Sequence, residues 1–159
     1  MASFADVERA EPEFAARVRA CLDAHTHKIL ATLRRDGSPR VSGLETRIVD
    51  GELFLAGMTD SVKFTDLRRD PRMALHSGSD EPDAFRADAK LSGRAVEVTD
   101  PEELAAFAGE AAVPGAAQPF ELFRIDLEQV VLTALDDAKE ALVITSWRPG
   151  QGLTTTRRT

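Results

Sequence analysis

One turn of the chain combines residue types that bind phosphate. Residues 56–63, Ala-Gly-Met-Thr-Asp-Ser-Val-Lys, predict the end of a strand, a polar turn and the start of a helix. The free N–H groups and the dipole of a helix's first turn attract anions, and Ser61 and Lys63 lie at the same place. The segment therefore predicts a phosphate site. The alternative is that Ser61 only caps the helix and that Lys63 lies in solvent.

Other kinds of reactive site have little support in the sequence. His25 and His27 stand two residues apart, but the chain has one cysteine and no acidic residue at a suggestive spacing, so no metal site is predicted. His76 follows a strand pattern and either lines a ligand cleft or is an ordinary side chain. Gly150-Gln151-Gly152 is a fragment of the dinucleotide fingerprint, and its position predicts a terminal turn. No catalytic side chain is assigned.

The first half of the chain predicts one helix followed by hairpins. Residues 11–24 carry apolar side chains at helical spacing, whereas residues 29–33 alternate as in a strand. Asp36-Gly37 and Asp50-Gly51 favour tight hairpin turns, so further strands are expected at 39–47 and 52–57. A helix over 62–70 and a strand over 72–77 follow, because Asp60 and Ser61 are good caps and Pro71 ends a helix.

The second half predicts strands separated by one helix. A polar loop over 78–88 leads to a strand at 90–98, and Thr99-Asp100-Pro101 starts a helix that ends near residue 110. After a loop at 113–119, residues 120–134 and 141–147 are rich in β-forming residues, and residues 148–159 are interpreted as a polar tail.

These elements amount to about seven strands and three helices joined mainly by hairpins, which predicts an antiparallel barrel with helical lids. The chain's 159 residues fit one domain. We expect a single domain over 1–159, with flexible ends at about 1–10 and 149–159.

The composition disfavours several partners. Twenty Lys and Arg against 27 Asp and Glu give a net charge of −7, which opposes binding to nucleic acids and anionic membranes. Cys21 has no partner for an intrachain disulfide, the N-terminus is acidic, and no run approaches the roughly 18 apolar residues of a membrane helix. A soluble, cytoplasmic protein is expected.

Three segments, in this order, resemble the FMN-binding split-barrel family of pyridoxamine 5'-phosphate oxidase-like proteins. They are residues 29–42, the turn Ser61-Val62-Lys63, and residues 66–72, Asp-Leu-Arg-Arg-Asp-Pro-Arg. The resemblance extends from about residue 11 to residue 147. Residues 147–152 are similar to the tail of members that include deazaflavin-dependent reductases.

The resemblance implies a homodimeric split barrel with a cofactor at each subunit interface and an oxidoreductase activity on a small molecule. The flavin ring would lie against the second and third strands, with its phosphate at the 61–63 turn. By matching position, the cofactor-binding residues would be Arg40, Val41, Ser42, Gly57, Met58, Thr59, Ser61 and Lys63.

The sequence departs from the family pattern in two places. The oxidases have an Arg-Lys pair in the phosphate turn, whereas Val62 precedes Lys63 here, so one phosphate contact is lost. The Arg-x-His-type substrate motif near the C-terminus is missing, which disfavours the pyridoxal-phosphate-forming reaction itself. FMN and the deazaflavin coenzyme are the cofactors expected, and a non-catalytic flavin or haem carrier, or a dimer that has lost its pocket, are the alternatives.

Overall fold

The structure is a computed structural model, and it describes residues 1–81, 83–110 and 119–159. Their helices are α1 (Phe4–Ala10), α2 (Pro12–Ala24), α3 (Val62–Arg69) and α4 (Pro101–Glu110). Their strands are β1 (Lys28–Leu33), β2 (Pro39–Val49), β3 (Glu52–Met58), β4 (Arg72–His76), β5 (Ala87–Val98), β6 (Phe120–Leu135), β7 (Leu142–Arg148) and β8 (Gly152–Arg158).

The first six strands close into an antiparallel barrel. Their order is β3-β2-β1-β4-β5-β6, and pairing of β3 with β6 joins the two edges. β7 and β8 extend the sheet beyond β6. The predicted split antiparallel β-barrel is confirmed, with one more strand and one more helix among the described residues than the sequence predicted.

Both predicted hairpin turns form where the sequence placed them. Asp50 and Gly51 have φ angles of +48° and +76°, which is the conformation that an Asp-Gly pair favours between two strands. The turn also meets the N-terminal helix, since the Ala5 N–H donates to the Gly51 carbonyl at 2.8 Å.

The core lies inside the barrel and beneath the helices that cover it. Phe14, Val18 and Leu22 form the buried stripe of α2, as their helical spacing predicted. Phe64 anchors α3 on the barrel, because its ring is fully buried and stacks on Phe123 of β6 at 5.0 Å between ring centroids. α3 is therefore fixed firmly relative to the strands.

Two element assignments at the ends of the chain were wrong. No element was predicted before residue 11, but α1 forms there, since Ser3 and Asp6 make a capping box and Phe4 and Val7 are buried. The 148–159 segment was interpreted as a polar tail, but most of it forms β8, which pairs with β7 from Gly152 to Arg158. Its run of threonines favours a strand, although the segment has no apolar alternation.

The predicted loop at 113–119 falls almost entirely outside the described residues. Among the residues that are described, no helix is long and apolar enough to cross a membrane.

Candidate functional site

The barrel opens between β2 and β3. From Pro39 to Leu44, β2 pairs with β1, and only from Glu45 onward does it pair with β3. Past Ala56, β3 pairs with β6 alone. The two strands therefore separate beyond the Glu45–Ala56 pair, and the segments that flank the opening carry the predicted site residues Arg40, Val41 and Ser42 on one side and Gly57, Met58 and Thr59 on the other.

The chain turns at the end of β3 into α3. Asp60 has a φ of +62°, and Ser61 is the N-cap residue. The Ser61 side chain does not cap the helix, because its hydroxyl donates back to the Met58 carbonyl at 2.7 Å. The first N–H groups of a helix lack partners within the helix, so those of Val62 and Lys63 are left available for an anion.

Lys63 lies next to this helix start. Its ammonium is 5.1 Å from the centroid of the Phe64 ring, and it forms no ion pair with any described residue. The stem of the lysine passes close to Gly57, since a Cβ placed there would be 3.7 Å from Lys63 Cε. Gly57 and Lys63 are thus brought together at one corner of the opening.

Arg40 is held at the opening by a buried acid that sequence reasoning missed. Asp66 of α3 accepts hydrogen bonds from Arg40 Nε at 2.6 Å, Arg69 Nη2 at 3.1 Å and Thr32 Oγ1 at 3.1 Å. Burial alone would raise the pKa of Asp66, but these hydrogen bonds outweigh it and lower the pKa below its usual value. Asp66 is therefore a carboxylate that ties β1, β2 and α3 together.

Several predicted site residues are open to the outside. Val41 and Met58 are 68% and 78% exposed, and Thr59 is exposed as well, whereas Ser42 is half-buried. Val62, the residue in place of a family basic residue, is 57% exposed. Val41, Met58 and Val62 thus present apolar side chains to solvent around the opening.

A second charged cluster lies beside Gly57 on the β6 side. Glu121 pairs with Gly57 across the two strands, and its Oε1 accepts from Arg68 of α3 at 2.8 Å. Arg68 also bonds to Glu97, and both carboxylates raise its pKa. Glu121 Oε2 is buried and has no hydrogen-bond partner among the described residues.

The histidines lie in local contacts elsewhere. His76 Nδ1 accepts from the Gly78 N–H at 3.0 Å, and its Nε2 is 3.7 Å from Asp88. His25 Nε2 is 3.5 Å from Asp80. No cluster of three or more potential metal ligands occurs in the described ranges.

Residues 14–134 match the family model for pyridoxamine 5'-phosphate oxidase. The chain belongs to the pyridoxamine 5'-phosphate oxidase family. The resemblance drawn from residues 29–42, 61–63 and 66–72 is thereby confirmed. No curated protein sequence is detectably similar to this family member.

Solved structures share the fold of this pyridoxamine 5'-phosphate oxidase family member. PhzG from Burkholderia lata 383, in complex with tetrahydrophenazine-1-carboxylic acid, has a TM-score of 0.65 at 17% identity, over 94% of this chain and 93% of PhzG. A pyridoxamine 5'-phosphate oxidase-related, FMN-binding protein from Nostoc punctiforme has a TM-score of 0.64 at 15% identity, over 92% and 95% of the two chains. A putative pyridoxamine 5'-phosphate oxidase from Listeria innocua has a TM-score of 0.57 at 22% identity, over 72% and 94%.

Proposed function

We propose that the chain binds a phosphorylated flavin-type cofactor in the opening between β2 and β3. The observation that carries this proposal is the uncapped start of α3. Ser61 turns its hydroxyl away from the helix, two N–H groups are left available, and Lys63 stands beside them without a carboxylate partner among the described residues. This combination suits a phosphate group.

The remaining predicted residues fit a planar ring held above that corner. Arg40, Val41 and Ser42 would border the ring from β2, and Gly57, Met58 and Thr59 would border it from β3. Gly57 makes room for the buried Phe64 ring beneath this corner, since a Cβ there would lie 3.0 Å from Phe64 Cε2. The exposed Val41 and Met58 would supply apolar contact to the ring.

The activity we infer is that of an oxidoreductase acting on a small organic molecule. A bound flavin supplies hydride-transfer chemistry, and the protein's share is binding, orientation and exclusion of water. Arg40 and Lys63 would place positive charge near the bound cofactor. The FMN-binding relative from Nostoc and the PhzG complex with an aromatic acid support a flavin and a small cyclic substrate, without identifying either for this chain.

FMN is the proposed cofactor, and the deazaflavin coenzyme is the alternative. Val62 provides an exposed apolar side chain where a second cation would strengthen a terminal phosphate contact. The loss of that cation weakens FMN binding more than the binding of a coenzyme that has further contacts along a longer tail.

We also propose that the chain is a single domain over residues 1–159, acting as a homodimer in the cytoplasm. The outer face of the barrel supports the dimer. Ala31 of β1 lies between Val41 of β2 and Ala74 of β4, and Ile29 on the same face is 47% exposed. A second copy on this apolar surface would cover it and would complete the cofactor site.

Titration of the purified protein with FMN and with the deazaflavin coenzyme tests the proposal. Denaturation releases any bound chromophore, and the mass of the released compound identifies the native cofactor. A Soret band would identify haem instead. The Lys63→Ala variant should bind FMN more weakly by about 1 to 3 kcal/mol, the range for a lost charged hydrogen bond. Lys139→Ala, a change of the same charge in the turn after β6, should bind as wild type does.

Equal affinity of Lys63→Ala and wild type would remove the phosphate assignment. Bleaching of the bound flavin by a reduced nicotinamide donor would separate an enzyme from a carrier.

A further inference from the structure

A cavity of about 260 Å³ lies at the C-terminal end of α2, and it shares no lining residue with the opening described above. It is bounded by the last turns of α2, by the start of β1 and by the second half of β2. Its polar lining side chains include Arg19, Asp23, His25, Lys28 and Arg47. The proposed cofactor chemistry uses none of these residues.

Lys28 is the central feature of the cavity wall. The residue is only 4% exposed, and its ammonium donates to the carbonyls of His25 and Thr26. An ammonium has three N–H donors, so one remains beyond these two acceptors. No carboxylate among the described residues lies within ion-pair distance of Lys28. Burial lowers the pKa of Lys28, and the nearby Arg47 acts in the same direction, whereas Asp23 and Glu45 oppose the shift.

Two arginines add positive charge to the same cavity. Arg19 and Arg47 are 37% and 42% exposed, and each forms a solvent-accessible ion pair, with N···O distances of 2.5 and 3.6 Å. Their carboxylate partners, Glu8 and Glu45, are not among the residues that line the cavity. Three cationic side chains therefore face the cavity against one acidic side chain, Asp23.

The backbone of β2 offers further polar groups at the cavity. The pairing between β1 and β2 ends at the pair Lys28–Leu44. Beyond it, Thr46, Arg47 and Ile48 pair with β3 on one side only. Their other edge borders the cavity, where an unpaired strand edge presents N–H and C=O groups to whatever binds there.

We propose that this cavity is a binding site for a small organic anion, whose carboxylate or phosphate group is held by Lys28 with Arg19 and Arg47. The cavity is smaller than the roughly 300–1,000 Å³ of sites for drug-sized ligands. The occupant is therefore a compact metabolite rather than a dinucleotide or a peptide. The site is independent of the cofactor.

Titrations of the 159-residue chain with succinate and with inorganic phosphate test the proposal, with NMR of the backbone amides as the readout. Saturable shifts of the His25, Thr26 and Thr46 amides are expected with at least one probe. Succinate binding alone would assign the site to carboxylates, and phosphate binding alone would assign it to phosphorylated compounds. Absence of saturation with both probes by about 10 mM would overturn the proposal.

Three variants locate the binding. Lys28→Met should abolish saturation, and Arg47→Gln, at an exposed position that leaves the fold intact, should weaken binding by about threefold to tenfold. Arg35→Gln, the same charge change at the exposed β1–β2 turn, should bind as wild type does. Equal weakening by Arg35→Gln and Arg47→Gln would show non-specific attraction and refute the site. Lys63→Ala should leave these shifts unchanged, so failure of the proposed cofactor site would not be mistaken for failure here.

Discussion

Asp66 should contribute several times more to the free energy of unfolding than an exposed acid that forms a similar ion pair. The Asp66 side chain is 4% exposed and accepts three side-chain hydrogen bonds, two of them from arginines. The Asp66→Asn variant keeps the shape but turns an amide NH₂ toward donors and leaves the Arg40 charge uncompensated. Breaking a buried pair in this way costs about 3–5 kcal/mol. Since the Arg40 side chain is 25% exposed, we expect a loss of about 2–4 kcal/mol.

Thermal and urea unfolding measure this loss. For a chain of this size, a loss of about 2–4 kcal/mol lowers Tm by roughly 5–15 °C. Asp70→Asn is the matched control. Asp70 pairs with Arg72, whose hydrogen bonds lower the pKa of Asp70 to about 2, but the Arg72 side chain is 63% exposed. Because water screens that pair, the control should unfold close to wild type. A Tm for Asp66→Asn as high as that of the control would refute the reasoning.

The pH dependence gives a second test of the same residue. The hydrogen bonds lower the folded pKa of Asp66 below its ordinary value, which is about 4 in an unfolded chain. A depressed folded pKa means that the stabilisation is complete above the unfolded pKa and is lost as the pH falls through the folded one. The stability gap between wild type and Asp66→Asn should therefore be constant at neutral pH and should narrow below about pH 4.

Three further substitutions have defined outcomes. Gly93→Ala would place a Cβ 2.1 Å from the Asp126 carbonyl oxygen, so urea unfolding should show a free energy of unfolding lower by about 2–4 kcal/mol. The control Gly43→Ala, whose added Cβ has no atom within 4 Å, should change it very little. Ile29→Glu places a charge on the apolar outer face, so light scattering should show a monomer, and a persistent dimer would move the interface elsewhere. Ser61→Asp puts a carboxylate at the start of α3, so FMN affinity should fall about tenfold or more while Tm is kept, whereas unchanged affinity would argue against a phosphate there.

The barrel could be predicted because its signals are local. Asp36-Gly37 and Asp50-Gly51 define hairpins by their own conformational preferences, and the alternation of 29–33 defines a strand beside them. α1 and β8 were missed for different reasons. α1 has seven residues and a capping box that ends in Asp6 rather than Glu, and the β8 residues are almost all exposed, so no apolar alternation marks them.

The candidate site was predictable only as far as its segments resemble a family. Arg40 and Asp66 are 26 residues apart, and nothing in either segment indicates that α3 places the carboxylate against β2. Glu121 faces Gly57 because β6 closes the barrel against β3. Such contacts follow from barrel closure, which pairs strands that are distant in sequence.

The direction of the Ser61 side chain favours the phosphate hypothesis over simple capping at the 61–63 turn. A serine before a helix can accept from the helix N–H groups, or it can donate elsewhere and leave them free, and both arrangements satisfy its hydroxyl. Here the left-handed conformation of Asp60 carries the chain around so that Ser61 Oγ meets the Met58 carbonyl. The N–H donors at the start of α3, which lie beside Lys63, therefore receive no acceptor from the N-cap side chain. An anion from outside the chain would complete the hydrogen bonding at this helix start, which is what the proposed cofactor site requires.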